Sequence, residues 1–299
     1  MSTPPDPGGS EGGTVRWRLR LAYDGTAFRG FAATDGQPTV GGSLSRAVER
    51  VARVPVVLTC AGRTDTGVHA IDQVVHFDLP AEASARLEPA ALVRSCNSQL
   101  APAIVVREAT VAPPGFDARR SARSRRYRYL VVNAPVADPL LARLAWHVSD
   151  RLDVRSMAAG ADALVGEHDF RAFCRRPPGT GSEDPLVRRV FDAGWRRVGD
   201  PARPRSGWAG SGDPDDDPTG PAGPPRELLA PAVGSLLAFE IEANAFCHRM
   251  VRSLVGTLVD VGRGRRRASD MVAILRSCDR SRASQPAPSS GLTLVEVRY

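Results

Sequence analysis

Val15-Arg16-Trp17-Arg18-Leu19-Arg20-Leu21-Ala22-Tyr23-Asp24-Gly25 is the stretch on which the fold class turns. Val15, Trp17, Leu19, Leu21 and Tyr23 alternate with Arg16, Arg18 and Arg20. A strand turns successive side chains to opposite faces, so this alternation predicts a half-buried strand. Asp24-Gly25 ends it as a turn.

Working outward, Val40, Leu44, Ala47, Val48 and Val51 recur at helical spacing, and Val56-Val57-Leu58 reads as a short strand leading into Ala61-Gly62. Val74, Val75 and Phe77 mark another strand; a helix is expected over about 88–96, and strands over about 103–109 and 124–132. The second half continues with a helix over about 153–165 capped by Asp153, strands near 187–196 and 234–243, helices at 246–261 and 270–277, and a last strand at 292–298. Strands and helices mix without strict βαβ alternation. An α+β architecture follows, with a mixed, mostly antiparallel central sheet and flanking helices.

Residues 1–13, rich in Gly, Pro and Ser, hold too few apolar groups to offset ordering entropy and are expected to form a disordered tail. The same reasoning makes about 199–231, with Asp215-Asp216-Asp217, a flexible surface insertion across which the flanking strands can still pair. The expected organisation is an N-terminal half over 14–135 and a C-terminal half over 136–299.

The chain has 299 residues, a net charge of +7 and a pI near 9.8. A basic balance favours a polyanionic partner through long-range attraction and counterion release. All 40 basic residues are arginine, whose planar fork suits phosphate and whose face stacks on bases. No run reaches the roughly 18 apolar residues that span a bilayer, and the first residues lack the features of a signal peptide, so a cytoplasmic protein without a membrane partner is expected. The five cysteines are dispersed with no CxxC pair, and read as reduced, mostly buried thiols.

Three segments carry chemistry. In Cys60-Ala61-Gly62-Arg63-Thr64-Asp65-Thr66-Gly67-Val68-His69-Ala70, two glycines bracket an Arg-Thr-Asp core after a strand, presenting Arg63 and Asp65 at a sheet end. A guanidinium beside Asp65 favours its ionised form, which can serve as nucleophile or base. The same residues also fit an Asx-type turn with a surface ion pair. A phosphate loop is disfavoured because no Lys-Ser/Thr follows, and a metal site with His69 and His76 lacks a second acidic cluster, so neither metal nor cofactor is expected.

The second segment runs from Arg119 to Tyr129. As a strand, 124–132 sets Arg125, Tyr127, Tyr129 and Val131 on one face and Arg126, Arg128 and Leu130 on the other. Interleaved arginine and tyrosine can hold phosphates and stack a base, or form a solvated basic edge strand packed on the core. The third segment, Glu240 to Arg252, passes from a strand at Asn244 to a helix whose Met250, Leu254 and Leu258 form an apolar stripe. Arg252 lies off that stripe in the first turns, where it opposes the helix dipole; pairing with a carboxylate such as Asp65 would explain it. Gly256 is read as a point of close helix packing.

Together these segments closely resemble the TruA-type tRNA pseudouridine synthases. The family's GRTD-x-GVHA loop appears as Gly62 to Ala70, its RYRY strand as Arg126 to Tyr129, and its NAF-x-x-x-MVR helix start as Asn244 to Arg252. Tyr23-Asp24-Gly25, Gln73 to Phe77, Phe116 to Arg119, Gly166 to Phe170 and Gly291 to Val295 match in the same order. The resemblance implies the pseudouridine synthase fold, two similar α+β halves around a basic cleft, and a homodimer. It implies isomerisation of uridine to pseudouridine without cofactor at positions 38 to 40 of the tRNA anticodon stem-loop. Asp65 takes the role of catalytic carboxylate, Tyr127 that of the aromatic stacked on the target base, and Arg252 that of the ion-pair partner of Asp65; Arg63, Arg119 and Arg125 are expected to contact the RNA. Where the family usually has Gly-Trp-x-x-Gln and Thr-Val-Gln, this chain has Gly30-Phe31-Ala32-Ala33-Thr34 and Thr39-Val40-Gly41, so RNA contacts in that loop are expected to differ. A non-catalytic tRNA-binding protein on the same fold would carry the same arginines, and a metal-dependent hydrolase would require a chelator-sensitive activity.

Overall fold

The computed structural model of the chain describes residues 13–175, 184–199 and 236–299. The tail expected at 1–13 and the insertion expected at 199–231 therefore lie, but for Gly13 and Gly199, outside the described residues. The ten strands are β1 (Thr14–Tyr23), β2 (Thr59–Cys60), β3 (His69–Pro80), β4 (Ile104–Val111), β5 (Ser124–Asn133), β6 (Trp146–Val148), β7 (Gly166–Asp169), β8 (Val187–Arg197), β9 (Leu236–Ala243) and β10 (Leu292–Arg298). The helices are α1 (Val40–Ala52), α2 (Ala81–Ala85), α3 (Pro89–Leu100), α4 (Val154–Asp162), α5 (Met250–Gly262) and α6 (Asp270–Ser277).

The strands join in one mixed sheet ordered β4-β1-β3-β10-β5-β9-β8-β7, with β2 paired to β3 and β6 to β5. Most pairs are antiparallel; β10 runs parallel to β3 and β6 parallel to β5. The chain's last strand therefore closes the centre of the sheet, bridging β3 and β5. As expected, β8 and β9 pair across the segment that separates them, with Ala193 opposite Ile241 and Trp195 opposite Phe239.

The alternation read in β1 becomes two faces. Trp17, Leu19, Leu21 and Tyr23 are buried with Val75, Phe77, Tyr129, Phe239 and Leu294 and with Leu44 of α1, Leu92 of α3 and Leu254 of α5. Removing each large side chain from water stabilises the fold by about 1.5–3 kcal/mol. The opposite face is a lattice of ion pairs between neighbouring strands: Arg16–Asp78, Arg20–Asp72, Arg128–Glu240 and Arg126–Glu242. All but the diagonal Arg20–Asp72 pair are directly opposed in register, the sheet's polar counterpart of apolar cross-strand pairs.

Helix boundaries follow local chemistry. The Thr39 hydroxyl caps α1 by accepting from the Gly42 amide at 3.2 Å, and the Asp153 carboxylate caps α4 from Arg155 and Ser156. Helix α3 starts at Pro89, with Glu88 accepting from Ala90 and Ala91.

Four expectations need correction. Val56-Val57-Leu58 is not a strand, since pairing begins only at Thr59–Cys60, where the backbone comes into register with β3. Helix α5 starts at Met250 rather than 246, because Arg249 is left-handed at φ 63° and interrupts the backbone before it. Gly256 marks a close approach not to a helix but to chain before β10: an added Cβ would collide with the Gln285 carbonyl. Finally, the structure joins Cys174 and Cys247 as a disulfide, with Cα atoms 5.8 Å apart, leaving Cys60, Cys96 and Cys278 free. The two are 73 residues apart, and only the folded contact between their segments, sealed by the Arg175 amide donating to the His248 carbonyl at 2.9 Å, brings them together.

Candidate active site

The loop between β2 and β3, residues 61–68, is held from beneath. The Gln73 side-chain amide donates to the Gly62 carbonyl at 2.7 Å, and the Tyr23 hydroxyl meets the Thr64 hydroxyl at 2.8 Å. From the side, the Phe31 amide donates to the Thr64 carbonyl at 3.0 Å. Gly25 and Gly30 let the 24–31 segment approach backbone to backbone: a Cβ at Gly25 would collide with the Val68 carbonyl, and one at Gly30 (φ +101°) would lie 3.0 Å from the Thr64 carbonyl oxygen. His69 completes the seat, accepting at Nδ1 from the Gly25 amide at 3.1 Å and pointing Nε2 at the carbonyls of Arg143 and Ser290.

This seat leaves Asp65 half-buried at the rim. Arg252 Nη1 lies 3.7 Å from Asp65 Oδ2, as the sequence suggested for an arginine in the first turns of α5. Arg252 is itself fixed, donating through Nε to the Ala287 carbonyl at 2.7 Å. Burial pulls the Arg252 guanidinium below its ordinary pKa, an effect the Asp65 carboxylate opposes.

Tyr127 sits on the buried face of β5, with its hydroxyl 3.5 Å from where a Gly62 Cβ would be, and its ring meets Phe246 edge-on at 4.9 Å between centroids. Burial holds the phenol well above its ordinary range, with the Arg125 charge opposing. Tyr127 therefore stays protonated, a neutral hydroxyl rather than a base. The buried Cys60 thiol is pushed up to about 11 by burial, so a thiolate is not the nucleophile this loop supplies.

The candidate RNA-contacting arginines divide. Arg63 and Arg119 are exposed. Their charges converge near Cys60, drawing its thiol back down against the effect of burial. Arg125 has a different occupation from the substrate contact expected of it. It is 8% exposed, and its guanidinium donates to the carbonyls of Ala61, Arg119, Ala122 and Asn244, tying the 61–68 loop to β5 and to the chain after β9. Arg126 and Arg128 point to the other face, as the alternation predicted, and are engaged by Glu242 and Glu240.

Sequence reasoning missed His248, whose Nε2 lies 3.3 Å from Asp65 Oδ1, and the support from Gln73, Tyr23 and Thr64. His248 stands at a position that the NAF-x-x-x-MVR pattern leaves unspecified, so only its place near Arg252 could have drawn attention to it. His76 is a satisfied histidine, accepting from the Ala118 amide at 2.9 Å. Among the described residues no three of His, Cys, Asp and Glu come together to hold a metal ion, and no helix is long and apolar enough to cross a membrane.

A half-exposed carboxylate, a half-buried guanidinium on one of its oxygens and a buried aromatic ring against Gly62 of the same loop make up the candidate site. The family model described as tRNA pseudouridine synthase matches residues 161–299. The chain is 43% identical over 291 residues to the tRNA pseudouridine synthase A of Frankia casuarinae, covering 96% of this chain and 90% of that one. It is 39% identical to that of Bifidobacterium animalis and 37% identical to that of Brevibacillus brevis, each over 95% of this chain. With the site's geometry and these similarities running the length of the chain, it belongs to the tRNA pseudouridine synthase A (TruA) family of isomerases.

Proposed function

We propose that this enzyme converts uridine to pseudouridine at positions 38 to 40 of the tRNA anticodon stem-loop, with Asp65 as the catalytic carboxylate. The observation that carries the reading is the Asp65–Arg252 pair on the loop whose Gly62 lies against the buried Tyr127 hydroxyl. The C1′–N1 bond breaks, the uracil turns, and C1′ joins C5; C5 loses its hydrogen to solvent and N1 gains a proton. A carboxylate at C1′ or C6 can add covalently, or act as a base on the sugar. Arg252 holds one oxygen of that carboxylate, and the Tyr127 ring replaces the stacking that the uridine loses on leaving its helix. In this reading the exposed Arg63 and Arg119 meet the RNA backbone, while Arg125 acts as scaffold. The working form in this reading is a cytoplasmic homodimer with a basic cleft, and no cofactor takes part.

Asp65→Asn removes the carboxylate's chemistry while keeping its shape. Release of tritium from 5-tritiated uridine in tRNA should fall to background, with tRNA affinity retained. Undiminished release by that variant rejects the assignment of Asp65, and tRNA binding without release by the unaltered enzyme leaves a binding protein instead.

A further inference from the structure

The segment between β9 and α5 spends three consecutive side chains in three directions. Phe246 meets the Tyr127 ring, Cys247 joins Cys174, and His248 reaches Asp65. Its backbone is fixed at that point by the hydrogen bond from the Arg175 amide to the His248 carbonyl. The imidazole is therefore not a loose surface group that happens to pass the carboxylate.

The two partners of Asp65 take different oxygens and lie at different depths. Arg252, 16% exposed, approaches Oδ2 from inside; His248, 40% exposed, stands at Oδ1 on the open side. A carboxylate held on one oxygen at 3.7 Å can still turn about its last bond. Held on both, it has one orientation. An exposed pair of this kind contributes little to stability, so stability does not explain its presence.

We propose that His248 is a positioning residue for the isomerisation, its Nε2 fixing the rotation of the Asp65 carboxylate at the mouth of the site so that one oxygen is aimed at the incoming nucleotide. This rests on the reading of Asp65 as the catalytic carboxylate. Orientation is worth much in such a step: displacing a reacting group by about 1 Å costs on the order of a hundred-fold in rate.

The test compares His248→Ala and His248→Gln with the unaltered enzyme, using tritium release from tRNA under steady-state and single-turnover conditions. His248→Ala should lower kcat by about ten- to a hundred-fold, with KM for tRNA changed by less than about two-fold. His248→Gln, which returns an N–H donor at similar reach, should recover most of the loss. Wild-type kcat in a folded His248→Ala enzyme overturns the proposal. So does a rise in KM at constant kcat, which would make His248 an RNA contact, or a folded His248→Gln enzyme as slow as the alanine variant. The two readings separate cleanly. Full activity in Asp65→Asn removes the foundation, whereas an inert Asp65→Asn beside a fully active His248→Ala removes only the role of His248.

Discussion

At the scale of single residues, the site depends on side chains that never face solvent. Arg125 supplies hydrogen bonds to four backbone carbonyls from three separate segments, all of which would lose their donors together. Arg125→Ala is therefore expected to destabilise the fold by about 2 kcal/mol, from the lost bonds and from the buried Ala61 carbonyl left without its donor. Urea midpoints would measure this. The salt dependence of tRNA affinity in the folded variant should keep its slope, whereas loss of a true phosphate contact would reduce it by about 1; an unchanged midpoint with a reduced slope would return Arg125 to the RNA. The pairing of Asp65 with Arg252 was legible because each lies in a contiguous segment whose spacing can be read. The scaffolding role of Arg125 was not, because an arginine's sequence neighbours do not tell whether its donors meet phosphate or carbonyl oxygen. Gln73 was hidden for a similar reason: its side chain acts on a carbonyl 11 residues back, at Gly62.

At the scale of elements, the turn after β1 and the 61–68 loop behave as one body because glycines remove the side chains that would part them. Gly25→Ala sets a methyl against the Val68 carbonyl, and neither partner is a flexible side-chain tip that could move aside cheaply. A cost of about 3 kcal/mol is expected from such overpacking, and relief by backbone movement would shift the loop that carries Asp65. Melting temperature and kcat should thus fall together, and a variant of unchanged kcat would show that Asp65 does not depend on this contact. The two faces of β1 and β5 were readable because period-two alternation is a local property, and α4 was found from its cap and spacing and α6 from spacing. The start of α5 was misplaced because the apolar run continues through Phe246 while the backbone does not; a left-handed Arg249 is a conformational fact with no compositional signal. The short strands β6 and β7 escaped notice since three or four residues are too few to show a period.

At the scale of the whole molecule, strand order was the least legible feature. Nothing in Leu292–Arg298 says that it will lie between β3 and β5, because pairing partners distant in sequence are chosen by the assembled sheet. That placement puts Arg298 beside Glu242, which also receives Arg126 at 2.6 Å and the Ser124 hydroxyl at 2.7 Å, so three strands meet at one carboxylate. Burial alone would raise the Glu242 pKa, but the hydrogen bonds from Arg126 and Ser124 and the charges of Arg126 and Arg298 outweigh it, leaving the group below its ordinary value of 4.5. A carboxylate depressed in the folded state contributes stability that is fully present above its unfolded value and is lost as pH falls through the folded one. Glu242→Gln should therefore be less stable than the unaltered enzyme at about pH 7, and the gap should narrow as the pH drops below about 4.5, where the parent protein loses the same charge. Urea midpoints measured across that range decide the matter. A gap that stays constant into acid would mean that the carboxylate's charge does not hold β5, β9 and β10 together, and that the ion-pair face serves only to keep that side of the sheet in water.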